Sequence, residues 1–475
     1  MHPRLTTLAF TALAALIPGC ACMPDSPNLG AIYNKAAQTH GPNRNPVIVI
    51  PGILGSKLKD TETSTLVWGA FVKGAANPRT PEGKRLIGLP MQEGTRLGQL
   101  RDGVTSAGAL DTFRLSIFGG FSIEQRAYIN ILSTLGVGGY SDQTLGEAGA
   151  VDYGDSHFTC FQFDYDWRRS CVENAGALGR FIKTKKQEIA EEYKRLYGMQ
   201  ESEIKFDIVA HSLGGLVARY YLRYGEQSLP ADGSPPSITW AGTRDVEKVV
   251  LVATPNAGTP YALNQLTDGF QLSRFIPKFE AALLGTMPSI YELLQRPRHN
   301  TLTGLSKELP FDIYDPELWI SKEWGLANPE QEKILVDLLP EIDDPARRRT
   351  IAIDHLRKCL TRAKRFHAAM DRPAKPPRGT LLTLYAGDAE ETPAGAMVSR
   401  RSITLTQYEP GDGSVTRRSA LMDERVGEAQ DAPFLVSPIG WDDVNFIHSN
   451  HIGITRAPAF QDSLLFLLLE KSMGP

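Results

Sequence analysis

The segment Ile208-Val-Ala-His-Ser212-Leu-Gly-Gly-Leu216 constrains the fold of this 475-residue chain more than any other. An apolar run leads into a serine flanked by the small residues Ala210 and Gly214, and a helix-forming stretch follows. This pattern predicts a strand over 206–210, a sharp turn at Ser212 and a helix over 213–224 ended by Gly225. The small neighbours are a steric requirement. Such a turn holds the serine in a strained backbone conformation with its hydroxyl outward, and bulky flanks would strike the adjoining elements. The hydroxyl would also sit at a helix N-terminus, where free N–H groups and the dipole favour developing negative charge. Ser212 is therefore a candidate nucleophile.

The elements around it alternate. Pro46-Val-Ile-Val-Ile-Pro51 is a short apolar run bounded by turn residues, the signature of a buried strand. Further strands are expected over 158–163 and 246–253, with a long amphipathic helix over 175–196 ending at Gly198. A helix over 123–135 would start from a capping box at Ser122 and Gln125. Strands alternating with helices imply a mostly parallel sheet with helices on both faces, the α/β class. After Pro260 the alternation stops for over a hundred residues. Residues 263–377 hold helical segments, many prolines and the charge-dense stretch 347–372, and read as a large, mainly helical cap insertion. Strand-like runs return at 381–385 and 398–407, and 460–471 reads as a final helix. The core is thus expected over 46–262 and 378–475, with a Gly-rich, polar loop insertion at 56–112.

The first residues read as processing signals. A short basic start and an apolar run over 5–17, too short to span a bilayer at about 20 residues, predict a signal peptide over 1–22. Ile17-Pro-Gly-Cys20 is similar to a lipoprotein cleavage box, so lipidation of Cys20 and ordinary secretion are both open. Residues 23–45 are rich in Pro, Asn and Gly and read as a linker. Export to the periplasm, the outer membrane or the medium would permit a disulfide between Cys160 and Cys171, although pairing is not readable from sequence; buried thiols are the alternative. No Cys or His spacing has the form of a zinc site, and no cofactor is expected. With 51 basic and 54 acidic residues, the net charge of −3 gives no electrostatic case for nucleic acid.

Other motifs complete a possible site. Pro51-Gly52-Ile53-Leu54-Gly55 follows the first strand and would supply a backbone N–H, that of Ile53, to an oxyanion hole whose second donor is the N–H of Leu213. A plain strand-ending turn is the alternative. An acid and a base come later, in the order Ser, Asp, His. Gly411-Asp412-Gly413 presents Asp412 in a tight loop, and Asn450-His451-Ile452 sets His451 before the last helix. Asp388 and His448 are their rivals, and His211 reads as a packing residue. Phe163-Asp-Tyr-Asp-Trp-Arg-Arg169 follows a strand on the side where α/β sheets bind ligands. Its Tyr165 and Trp167 either line a substrate pocket or belong to an ion-paired clamp. Residues 270–284 carry spaced apolar side chains that would touch lipid or pack the cap, with Pro277 breaking any single helix.

Together these segments resemble the lecithin:cholesterol acyltransferase family, which includes lysosomal phospholipase and the phospholipid:diacylglycerol acyltransferases. The resemblance rests on Pro46-Val-Ile-Val-Ile-Pro-Gly-Ile-Leu-Gly-Ser-Lys-Leu58, Asp164-Tyr-Asp-Trp-Arg-Arg169, Ala210-His-Ser-Leu-Gly214, Thr254-Pro-Asn-Ala-Gly258, Gly411-Asp-Gly-Ser-Val415 and Asn450-His-Ile452. It implies an α/β-hydrolase core and a metal-free Ser212–His451–Asp412 mechanism on acyl esters of lipids, by hydrolysis or acyl transfer. It also implies Ile53 and Leu213 as oxyanion donors. Animal members carry a tryptophan in a disulfide-bounded lid after the first strand; Trp68 lies in that region here, without bracketing cysteines. The substrate would be a lipid or other acyl ester, with membrane-surface contact through the cap or a lipidated Cys20. A non-lipid carboxylesterase and a non-catalytic lipid-binding envelope protein are the alternative readings.

Overall fold

The computed structural model describes residues 26–39, 41–69, 74–109, 113–117, 121–125, 127–145, 157–200, 203–271, 277–299, 301–304, 312–425 and 433–471. The expected signal peptide and Cys20 lie outside them. Six strands form the central sheet: β1 (Val47–Ile50), β2 (Cys160–Gln162), β3 (Phe206–His211), β4 (Val246–Val252), β5 (Leu381–Gly387) and β6 (Asp443–Ile447). Their order is β6-β5-β4-β3-β1-β2 and every pairing is parallel.

Side chains alternate across the sheet. Ile48, Ile50, Ile208 and Ala210 point into one buried cluster, while Val47, Val49, Val209 and Val250 point into another. Helices α3 (Cys171–Tyr197), α4 (Leu213–Tyr224) and α5 (Pro345–Met370) contribute to the first cluster. Helices α2 (Ala127–Val137) and α6 (Pro458–Leu469) contribute to the second, through residues such as Leu135, Phe460 and Leu464. Burial on both faces explains why β1 and the later part of β4 read as unbroken apolar runs. In contrast β6, half-buried at the sheet edge with Asp443 and Asn445, gave no such run and was not expected.

The chain runs from β1 outward to β2, then returns to the other side of β1 for β3 and continues away from it. The strand order therefore reverses between β1 and β3, and the crevice beyond the carboxyl ends of those strands is where open α/β sheets bind ligands. Both the turn 51–55 and Ser212 lie at that end.

Several local expectations are corrected. Residues 121–125 are a strand paired with 113–117, and the helix expected over 123–135 begins only at Ala127. The alternating Phe121-Ser-Ile123 pattern favours extended pairing over the capping box. The expected loop insertion at 56–112 contains an antiparallel sheet of Ser56–Asp60, Leu66–Trp68 and Val104–Ala109, and a helix at Pro81–Ile87. In Ser56–Asp60 the inward residues Ser56 and Asp60 are themselves polar, which hid the alternation. The expected linker 23–45 contains helix α1 (Leu29–Ala37), capped by Asn28 and held by Tyr33, whose hydroxyl donates to the Asp462 carboxylate at 2.7 Å. The run at 398–407 breaks at 399–402 into a hairpin of Glu390–Val398 and Ile403–Gly411. The strand Thr301–Gly304 pairs with that hairpin. Cys160 and Cys171 are free and buried. They point into the two different core clusters, one on each face of the sheet, so no disulfide joins them.

Candidate active site

Ser212 stands between β3 and α4 with φ 53° and ψ −124°, a left-handed conformation that a non-glycine residue adopts only under constraint. Its N–H donates to the Val252 carbonyl at 2.8 Å, anchoring the turn to β4. Two glycines make the turn possible by close approach. A Cβ on Gly52 would fall 2.8 Å from the Ser212 Cβ, and one on Gly214 would fall 2.4 Å from the Pro51 carbonyl oxygen. The Pro51–Gly55 turn is thus packed directly against Ser212.

A chain of hydrogen bonds runs from the serine. His451 Nε2 lies 3.0 Å from Ser212 Oγ, and its Nδ1 lies 2.8 Å from Asp412 Oδ2. A carboxylate only accepts, so Nδ1 carries the proton and Nε2 is left to accept from the serine. The other carboxylate oxygen, Oδ1, accepts the N–H groups of Ser414 and Val415 at 2.9 and 2.7 Å. Asp412 follows the second strand of the hairpin, and its carbonyl accepts the His451 N–H at 2.9 Å. Ser212 and Asp412 are buried, whereas the His451 side chain keeps 18% of its surface accessible. Burial alone would push the His451 imidazole down, but the charge and hydrogen bond of Asp412 hold it above its ordinary value.

The rival residues lie elsewhere. Asp388 accepts from Arg417 at 3.2 Å and stands 4.0 Å from the largely exposed His448. His211 donates Nε2–H to the His451 carbonyl, an acceptor only, at 3.0 Å. Burial pushes its pKa down to about 3, with His451 adding to the effect.

The turn 51–55 is held from three sides. Tyr165 donates its hydroxyl to the Pro51 carbonyl at 2.8 Å, the Gly52 N–H donates to the Tyr128 hydroxyl at 2.7 Å, and Trp68 Nε1 donates to the Leu54 carbonyl at 2.8 Å. Leu54 itself has φ 64°. These bonds leave the N–H of Ile53 without a partner among the described residues, as is that of Leu213 at the start of α4. Free N–H groups at a helix start and in a braced turn are suited to an anionic oxygen.

Beside Ile53 lies an apolar crevice walled by Ile53, Leu54, Trp68, Trp167, Phe270, Phe279, Leu284, Met287 and Ile290 with Gln265. Trp68 meets Trp167 and Phe279 edge to face, at ring separations of 5.5 and 5.8 Å. The open space between the walls is about 50 Å³, the room of one or two waters. Of the three expected substrate-binding residues, Trp68 and Trp167 face this crevice and Tyr165 does not; it is buried behind the turn it braces. The ion-paired clamp is also present, since Arg168 and Arg169 bond Asp166 and Asp102 at 2.8–3.3 Å. Pro277 is followed by Phe279, which bridges to Phe270, so 270–284 is not one helix; residues 272–276 lie outside those described. Reasoning from sequence missed Tyr128 and the Met287 and Ile290 walls. No motif marks them, because helix and loop residues reach the site only through tertiary packing.

Comparison with known proteins agrees with this architecture. The sequence model of the lecithin:cholesterol acyltransferase family matches residues 150–302. No curated protein matches the chain. Among solved structures, the Tle4–Tli4 complex contains a chain similar to this one at 15% identity and TM-score 0.54, over 89% of this chain and 98% of that one. EstA from Clostridium botulinum is similar at 11% identity and TM-score 0.33, over 92% of this chain and 90% of its own. The stretch 150–302, which holds β3, Ser212 and β4, thus matches the sequence model of the lecithin:cholesterol acyltransferase family, and the chain has an α/β-hydrolase fold.

Proposed function

We propose that this chain is a serine hydrolase that cleaves acyl esters of lipids through an acyl-enzyme. The observation that carries the reading is the unbroken hydrogen-bond chain Ser212–His451–Asp412, set against the braced turn of Ile53. In this mechanism Ser212 Oγ attacks the ester carbonyl while His451 Nε2 takes the hydroxyl proton. Asp412 keeps the proton on Nδ1 and stabilises the imidazolium. The N–H groups of Ile53 and Leu213 hold the oxyanion. His451 then returns its proton to the departing alkoxide, leaving the acyl group on Ser212. Water releases a fatty acid, or a bound alcohol takes the acyl group.

The crevice favours lipid over small polar esters, since every wall but Gln265 is apolar. Most of those walls come from residues 263–377, which supports reading that segment as a cap that shapes the acyl site. Hydrolysis is the simpler outcome because it needs no acceptor pocket. Export, with or without lipidation of Cys20, belongs to the same reading and rests on residues 1–22 of the sequence alone.

The test is incubation of purified protein with mixed phospholipid vesicles, with and without a long-chain alcohol, followed by mass spectrometry of the lipids. Ser212→Ala and a serine-reactive phosphonate serve as controls. Free fatty acid alone marks a hydrolase, and an ester of the added alcohol an acyltransferase. Labelling of Ser212 with no lipid turnover would transfer the reading to soluble esters, and failure of the wild type to label would end it.

A further inference from the structure

A second and larger cavity, about 860 Å³, lies between α3, α5 and the segments 96–106 and 226–231. Eight Lys or Arg side chains line it against four carboxylates, a surplus of four positive charges in a chain whose net charge is −3. The charge-dense stretch 347–372 supplies half of those cations.

Some of these cations are matched: Arg169 by Asp102 and Asp166, Arg357 by Glu317 at 2.8 Å, and Lys358 by Asp354. That leaves Arg96, Arg101, Arg180, Arg362 and Arg365 to carry the positive surplus. Asp166 gives both oxygens to Arg168, and Asp164 accepts the Gly108 N–H at 2.8 Å. Glu226 pairs with Lys183 outside the cavity at 2.6 Å. Glu173 is shared among Arg101, Arg169 and Arg362 at 3.6–3.8 Å, too long for strong hydrogen bonds. Arg96 and Arg180 make no ion pair among the described residues. Arg365 keeps Nε and Nη2 buried with no hydrogen-bond partner. A buried guanidinium nitrogen left unbonded is costly, and an anion in the cavity would relieve that cost.

We propose that this cavity is a binding site for a phosphate-bearing anion. Several guanidinium groups converging on one space match phosphate oxygens, which take paired N–H donors, better than they match a single carboxylate. The guanidinium groups left over from these pairs call for a multiply charged ligand. The same chemistry is offered by a free phosphate ester and by the headgroup of an anionic phospholipid.

The site stands apart from Ser212, so the proposal does not rest on the hydrolase reading. Its test is calorimetric titration of the full chain with inorganic pyrophosphate at low and physiological salt, alongside flotation with phosphatidylcholine vesicles with and without phosphatidic acid. Wild-type protein is expected to bind pyrophosphate saturably, and less tightly as salt rises. Loss of one charged hydrogen-bonding partner in Arg365→Gln or Arg180→Gln should weaken binding about tenfold. Arg180 is exposed, so Arg180→Gln keeps the fold, with unchanged phosphonate labelling of Ser212 as its control. Flotation that needs phosphatidic acid and is lost in both variants assigns the headgroup; pyrophosphate binding without flotation assigns a soluble anion. No saturable binding of either probe, or variants that bind as wild type, overturns the proposal.

Discussion

His211 donates its Nε2–H to the backbone carbonyl of His451 at 3.0 Å, so the residue beside the candidate nucleophile holds the main chain of the candidate base. On its other side, Nδ1 lies 3.5 Å from the Tyr128 hydroxyl, which also accepts the Gly52 N–H. A line of contacts therefore joins the turn 51–55 to the loop of His451. Its central ring is neutral at every working pH, with a pKa pushed down to about 3.

Replacing His211 should disturb the base without touching substrate. His211→Ala is expected to lower kcat roughly 10²-fold, the cost of a small misplacement of reacting groups, with KM nearly unchanged. Tyr128→Phe should lower kcat less. Steady-state kinetics on one long-chain ester separate the two constants, and a change confined to KM would show that His211 shapes the substrate site instead.

The acid assignment predicts a contrast. Asp412→Asn should lower kcat about 10⁴-fold, because the amide can favour the wrong imidazole tautomer. Asp388→Asn loses its pairing with the partly exposed Arg417 and its approach to the exposed His448, and should change kcat by less than about twofold. Equal losses in the two variants would remove Asp412 from its role.

His451 must be neutral to accept the serine proton. Since Asp412 holds its pKa above the ordinary imidazole value, the acid limb of kcat/KM should lie above about 6.5. Stability carries the opposite trend. With a folded pKa above the unfolded one, the His451–Asp412 pair adds stability that is full below the unfolded value. It is lost as pH rises through the folded value. A pH–rate profile and melts across the same range check both signs.

Trp68 binds the turn through Nε1 and walls the crevice with its ring. Trp68→Phe keeps most of the ring and leaves the Leu54 carbonyl unbonded, which should cost about 1–3 kcal/mol of stability. Trp68→Ala removes the wall as well and should cost about 3–5 kcal/mol. It should also shift chain-length preference among esters, read by comparing short and long acyl substrates in protein that still melts cooperatively.

Much of this was legible in the sequence where local chemistry decides geometry. The elbow at Ser212, the Gly-rich turn after β1, and the loops of Asp412 and His451 each need particular small or turn residues, and those residues are visible one by one. Five of the six sheet strands were visible because burial makes them largely apolar runs. The sixth, β6, was not, since Asp443 and Asn445 interrupt it and it lies half-buried at the sheet edge. The sheet within 56–112 was hidden because the polar Ser56 and Asp60 occupy inward positions and its pairing with 104–109 is long-range. The strand at 121–125 was masked by a capping-box pattern at its start. Tyr128 was hidden for a related reason. Its hydroxyl matters only because α2 sets it against Gly52, and no spacing in the sequence records that approach. Tyr165 read as a pocket residue from its place after β2, but its hydroxyl turns back to Pro51.

Gly52 and Ser212 are 160 positions apart in sequence, yet a Cβ on Gly52 would strike that of Ser212, and one on Gly214 would strike the Pro51 carbonyl. Two distant stretches of chain are therefore one mutational unit. A side chain gained in either can be accommodated only by a shift in the other, so single-site libraries here should return almost nothing that is active. Anyone reshaping the enzyme's acyl preference should leave this seam alone and vary the crevice walls, or recombine 50–55 and 210–215 together as a cassette.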